Sequence, residues 1–457
     1  MTTVEPQIPV QAQQPENPYL EGNYGPVHEE VTAFDLPVTG ELPADLSGRL
    51  LRIGPNPVVP ADPATYHWFT GTGMVHGVRI RDGRAEWYRN RFVRADDVVA
   101  ARGGPATPGP RRTMDFAPNT NVIGHAGDTF AIVEAGALPM LLSYELDTLA
   151  RSDFGGTLGD AFTAHPKTDP VTGELHAISY YWEHERLQYQ VVGTDGRVRH
   201  RVDVPVPGRP MVHDMGLTER YAILMDLPVT FSLDAAMAGA SFPYRWDPAY
   251  GARVGLLPRE GGAEEIVWCE LPGSCYVFHP VNAYDDGERV VMDVARHATM
   301  FAEDVLGPSD AVPQLYRWTI DPATRRVSEQ LLDERGQEFP RHDERLVARR
   351  HRYAYCVAAD LLRDGFTGLI KHDLDAGTSE GVDYGAGRMT MEAVFVPRTD
   401  AAAEDDGWLM SYVYDATTDR SDVVVLHAQD LAAGPVATVH LPQRVPFGFH
   451  GNWVPDA

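Results

Sequence analysis

Leu315-Tyr316-Arg317-Trp318-Thr319-Ile320-Asp321 reads as a strand that stops on an acidic turn, and it decides the fold because it recurs. Leu142 to Leu146-Asp147, Gln190 to Thr194-Asp195, Leu369 to Leu374-Asp375 and Val425 to Gln429-Asp430 repeat the figure. The marking aspartates are 48, 126, 54 and 55 residues apart, and 126 is two steps of 63. A unit of about fifty to sixty residues suits a four-stranded propeller blade with long loops. The chain of 457 residues has room for about seven such units. Asp ends many strands through turn chemistry alone, so the period also has a chance explanation.

The rest of the chain agrees with the repeat. Strand-like runs such as Thr129-Phe130-Ala131-Ile132-Val133, Tyr221-Ala222-Ile223-Leu224-Met225 and Arg289-Val290-Val291-Met292-Asp293-Val294 alternate with turns at Asp195-Gly196, Asp286-Gly287 and Asp406-Gly407. Long amphipathic helical patterns are scarce. The expected fold is all-β: a seven-bladed β-propeller, with loops and short helices forming a cap over one face. Residues 1–16, polar and rich in Gln, Pro and Glu, read as a flexible tail, and residues 17–457 as a single propeller domain.

Composition narrows the function. A net charge of −26 speaks against nucleic acid, whose phosphates need a basic face. No run approaches the roughly eighteen apolar residues that span a bilayer, and the N-terminus lacks a secretory pattern. Three cysteines, Cys269, Cys275 and Cys356, are too few for a disulfide framework and fit a reducing cytoplasm.

Seventeen histidines are present, and the ordinary role of any one is a surface or hydrogen-bonding role. His28, His184, His200, His342, His351, His372 and His440 have charged or polar neighbours and read as solvated. His67 and His76 flank the tight turn Phe69-Thr70-Gly71-Thr72-Gly73-Met74, which lacks the ending of a phosphate loop. Four others share one local character, each beside Pro, Gly or Asp at the border of a strand: Ala164-His165-Pro166, Val212-His213-Asp214, Phe278-His279-Pro280 and Phe449-His450-Gly451. Their gaps are 48, 66 and 171 residues, the last near three blades. Inner strands of propeller blades face one axis, so imidazoles far apart in sequence can meet there. Four neutral imidazoles leave a metal its full charge, which suits Fe(II) and dioxygen better than a closed structural zinc.

Several longer stretches carry a resemblance. Gly48-Arg49-Leu50-Leu51-Arg52-Ile53-Gly54-Pro55-Asn56-Pro57, Tyr66 to His76, Glu338-Phe339-Pro340-Arg341, Glu392 to Arg398, Glu404 to Trp408 and Phe447-Gly448-Phe449-His450-Gly451 resemble the carotenoid cleavage oxygenase family, from about Asn17 to the end. The resemblance implies a seven-bladed propeller with axial Fe(II) on His165, His213, His279 and His450. It further implies three orienting glutamates: Glu134 on His213, Glu338 on His279 and Glu392 on His450, with His165 left without a carboxylate. A carboxylate that accepts the far ring N–H fixes the tautomer and raises ligand basicity. Thr120, in Asn119-Thr120-Asn121, matches a family threonine that crowds one coordination position.

The implied activity is Fe(II)-dependent dioxygenase cleavage of a conjugated C=C bond in a carotenoid or apocarotenoid, giving aldehyde or ketone products. The partners are then O2 and an elongated apolar substrate. Phe69, Val133, Trp182, Tyr244, Phe278 and Phe449 are the candidate tunnel residues, each also readable as simple core. Stilbene-cleaving members carry lysine where this chain has Val133, which favours carotenoids over phenolic stilbenes. A stilbene double-bond dioxygenase of the same fold is the alternative, and a non-catalytic propeller binding an apolar ligand is a third reading. The apolar stretch 231–246 reads either as a tunnel mouth in peripheral contact with a membrane or as a buried covering loop.

Overall fold

The structure, a computed structural model, describes residues 17–308, 310–360 and 365–456; the tail expected at residues 1–16 lies outside them. Its elements are almost all strands. The two longest described helices, Asp96–Arg102 and Leu233–Met237, have seven and five residues. No described helix is long and apolar enough to cross a membrane.

Burial along one sheet shows why these sequences form strands. In the sheet ordered Lys167–Thr168, Leu175–Tyr180, Arg186–Val192 and Val198–Pro205, the strand Leu175–Tyr180 is buried at every position. Both of its faces are covered, so its apolar residues run continuously instead of alternating. The outermost strand, Val198–Pro205, exposes every second side chain around Arg199, Arg201 and Asp203. Charges along that rim discourage pairing with another chain.

The chain ends are tied into the sheets. Gly48–Pro55 pairs antiparallel with Gly451–Pro455, and Val38–Gly40 pairs with Pro435–His440. Gly40 (φ 82°) is needed there, because a Cβ would lie 2.2 Å from the Val436 carbonyl oxygen. Propellers close their ring by such mixing of first and last strands.

The fold is an all-β propeller, but its hydrogen-bonded sheets are not seven separate ones. Among the described residues the larger sheets have five, four, eight, six, four and four strands, with one two-stranded ribbon. The eight-stranded sheet runs from Gly216–Leu217 at one end to Tyr276–Asp286 at the other. It is continuous because strands Val267–Glu270 and Arg326–Asp333 touch in parallel at one residue pair, Glu270 with Arg326. The period in the sequence counted strands and turns; it had no signal for this bridge.

The surface reading of three histidines was wrong: His342, His351 and His372 are buried. His372 is turned inward by alternation along the strand Gly365–Asp373, whereas His342 and His351 are loop residues covered by what packs on them, each ring 5.7 Å from the other.

Candidate metal centre

His165, His213 and His450 stand in loops just before the strands Lys167–Thr168, Gly216–Leu217 and Gly451–Pro455. His279 lies within Tyr276–Asp286, where the pairing register shifts between Val277 and Pro280. All four strands are end strands of their sheets. These sheet ends converge, and the four buried imidazoles offer donor atoms within 4.8 Å of one another. His213 and His279 come from opposite ends of the eight-stranded sheet, yet their Nε2 atoms are 3.2 Å apart. That sheet therefore curls until its ends nearly meet.

Three carboxylates surround the cluster. Glu134 Oε1 is 3.0 Å from His213 Nδ1, Glu338 Oε2 is 2.6 Å from His279 Nδ1, and Glu392 Oε1 is 2.9 Å from His450 Nδ1. Local backbone turns aim them. Glu134 precedes Ala135 and Gly136, both at positive φ (62° and 122°). Glu338 sits at a bulge where Phe339 takes φ 50° and donates its N–H back to the Glu338 carboxylate. A non-glycine residue in that region is costly and survives only where its surroundings hold it.

These hydrogen bonds test whether a cation fits. A carboxylate accepts the proton on Nδ1, which leaves Nε2 with a bare lone pair in neutral imidazole. The Nε2 atoms of His213 and His279 then face each other without a proton between them, and His165 Nε2 is 3.0 Å from His213 Nε2. A shared divalent cation turns that repulsion into coordination, so the residues fit a metal. Burial keeps two members neutral: it holds His165 well below the usual imidazole range, reinforced by His450, His213 and His279. Burial likewise pushes His450 down to about 3 against the pull of Glu392. On His213 burial is opposed and outweighed by Glu134, which raises it. Burial disfavours charge on Glu338 and Glu392 as well. Their partners prevail, His279 and His297 on the first, Arg341 and His450 on the second, and hold both below the usual carboxylate range.

Four contributors escaped the sequence reading. Asp214 stands 3.7 Å from His165 Nδ1 and is itself held by Lys167 Nζ at 2.9 Å. The neighbour of one imidazole thus braces another. Asp214 follows His213 and Lys167 lies two residues after His165, a reciprocal spacing that was the available signal. His297 Nε2 meets Glu338 Oε1 at 3.2 Å, and Arg341 meets Glu392 Oε2 at 3.2 Å. Both balance a buried carboxylate that would otherwise be costly.

An apolar cavity of about 830 Å³ reaches the cluster. Phe69, Val133, Trp182, Tyr244, Phe278 and Phe449 all line it, with Thr120, His213, His279 and His450. Thr120 is buried and donates its hydroxyl to Asn119 Oδ1 at 2.8 Å, while its carbonyl accepts from the His450 backbone N–H. The stretch 231–246 folds as a ribbon, Val229–Phe231 against Tyr244–Trp246, around the helix Leu233–Met237. It lines the same cavity and exposes Leu233 and Met237.

Taken together, the fold and this site define a propeller whose clustered imidazoles could hold a metal ion beside an apolar cavity. Comparison with known proteins makes the class specific. The family model described as "Retinal pigment epithelial membrane protein" matches residues 24–455. The chain is 47% identical to a "Carotenoid cleavage oxygenase" of Mycobacterium tuberculosis, over 97% of this chain and 99% of that protein. Among solved structures, lignostilbene dioxygenase of Pseudomonas brassicacearum is similar at TM-score 0.88 with 29% identity, covering 98% of this chain and 100% of that one. Synechocystis apocarotenoid oxygenase is similar at TM-score 0.84 with 28% identity, covering 95% and 98%. The chain belongs to the carotenoid cleavage oxygenase family, a family of dioxygenases.

Proposed function

We propose that this chain is an Fe(II)-dependent dioxygenase that cleaves a conjugated C=C bond of a carotenoid or apocarotenoid, leaving two carbonyl products. The observation that carries the reading is the apolar cavity that ends on the buried imidazole cluster. His165, His213, His279 and His450 would hold the iron, which when bound supplies activation of dioxygen. Glu134, Glu338 and Glu392 keep the Nε2 lone pairs inward by accepting the Nδ1 protons of three imidazoles. Phe69, Trp182, Tyr244, Phe278 and Phe449 pack an elongated polyene and exclude water from it. Thr120, its hydroxyl committed to Asn119, adds bulk beside His450 without offering a proton to the ligand.

Val133 separates the substrate readings. It lines the cavity next to Glu134 and has no proton to exchange with a phenol. That favours a polyene, as does the 47% identity to a protein named for carotenoids. The likeness to lignostilbene dioxygenase keeps a stilbene-cleaving enzyme as the second reading. The test is product analysis by mass spectrometry after incubation with carotenoids, apocarotenals and one hydroxystilbene. Aldehydes from the apocarotenals are expected. Turnover of the stilbene alone would overturn the assignment, and absence of stoichiometric iron would favour a non-catalytic propeller.

The same reading extends to architecture and location. Dividing the eight-stranded sheet at its single bridging pair, Glu270 with Arg326, gives two four-stranded blades and a total of about seven. Residues 17–457 would then form one propeller domain. Leu233 and Met237, exposed at the cavity rim, suit a cytoplasmic protein that collects apolar substrate by peripheral contact with a membrane.

A further inference from the structure

A second cavity ends on the same imidazoles, and it is far more polar than the first. It measures about 600 Å³. His279 and His450 line both cavities, whereas His213 lines only the apolar one and His165 only this one. The cluster is therefore a septum between two compartments. Polar and apolar groups share the walls of the second about equally: Asp214, Glu392 and His342 lie inside it, and Asp128 and Glu344 lie nearer solvent.

Two observations say what such a compartment takes. First, the two cations beside the cluster are paired, whereas buried Arg49 on the same wall bonds only the Tyr144 carbonyl and the Thr129 hydroxyl. Lys167 Nζ is 2.9 Å from Asp214, and Arg341 is 3.2 Å from Glu392. Next to the cluster, Lys167 and Arg341 therefore do not present free positive charge to an entering ion. Second, His342 is 92% buried by its 8% exposure, and its Nε2 has no hydrogen-bond partner. Burial first, then His351 and Lys167, keep this imidazole well below its usual range, so it is a neutral nitrogen donor without a job. An unpaired polar group buried at this depth is costly and leaves a lone pair open to a ligand.

We propose that the polar cavity is the route by which the divalent metal enters and leaves the centre, with His342 as a transient ligand on the way. This rests on the reading of the four histidines as a metal centre. A hydrated dication keeps oxygen and nitrogen partners throughout this path. In the aromatic cavity it would shed most of them before meeting Glu134, Glu338 and His213 at the cluster. Metal and substrate then reach the cluster from separate compartments, and a bound polyene does not trap or block the ion.

The experiment follows cobalt(II) uptake by chelator-stripped full-length protein, read by stopped-flow absorbance. His342→Leu and, independently, Thr168→Trp at the exposed rim of the polar cavity should slow uptake by about tenfold, with final stoichiometry unchanged. Ala236→Trp, in the apolar cavity, should take up cobalt at the wild-type rate. Wild-type rates in both polar-cavity variants, or slowing by Ala236→Trp instead, would overturn the route while leaving the metal centre intact. Failure of the stripped wild-type protein to bind cobalt at all would overturn both.

Discussion

His213, His279 and His450 differ from His165 in how they are held. The first three direct Nδ1 at a glutamate oxygen within 2.6–3.0 Å. The fourth has only Asp214, at 3.7 Å, and that carboxylate is occupied by Lys167. The difference teaches that a cluster of imidazoles can be oriented in two ways. Three rings are fixed individually by hydrogen bonds to glutamates from other parts of the chain. His165 is fixed collectively, by a brace built from the neighbours of two ligands and by contact with the other rings.

The largest test removes a ligand from the well-held group. His279→Ala should lose bound iron and all cleavage, measured by elemental analysis and product assay; unchanged iron with retained activity would reject the site. Next come the supports themselves. Glu338→Gln should weaken metal affinity by roughly tenfold to hundredfold, read by competition with a chelator. Asp214→Asn should cost less than about tenfold, because its contact with His165 is longer and less direct. Equal losses would erase the distinction between the two modes of support.

Acid sharpens the same comparison. His165 and His450 are held below their ordinary 6.5, and Glu338 and Glu392 below their ordinary 4.5. All four folded values are depressed, so the unfolded chain binds more protons as the pH drops. Their stability contributions are complete above the ordinary values and are lost on the way down. The Tm of metal-free protein should begin to fall near pH 6.5 and fall more steeply below about 4.5. Glu338→Gln should soften the lower, carboxylate limb and spare the upper one. A flat Tm from pH 7 to pH 4 would contradict the burial of these rings. The smallest effect belongs to Thr120→Val, which removes one hydroxyl bond to Asn119 and should cost about 0.5–1.5 kcal/mol in denaturant unfolding with metal content unchanged.

Much of the site was legible beforehand because its residues have local marks. An imidazole beside Pro, Gly or Asp at a strand border is visible in the chain, and so are the motifs around Glu338 and Glu392. Asp214 and Lys167 were equally visible, but their meaning lies in a contact between segments 47 residues apart. His342 shows the opposite failure. Its neighbours Arg341 and Asp343 suggested solvent, yet the ring is buried.

While the three glutamates were legible only through the family resemblance, the sequence by itself determined an all-β chain with a net charge of −26 and four histidines of one local character. Those are matters of residue type and short spacing, which the covalent chain carries directly. Tertiary structure alone decided that the eight-stranded sheet curls until His213 and His279 meet, that Asp214 braces the neighbouring imidazole, and that one cluster divides an apolar compartment from a more polar one. Burial and facing are properties of what packs from elsewhere, and strand alternation fixes only that successive side chains part ways, not which of them water will reach.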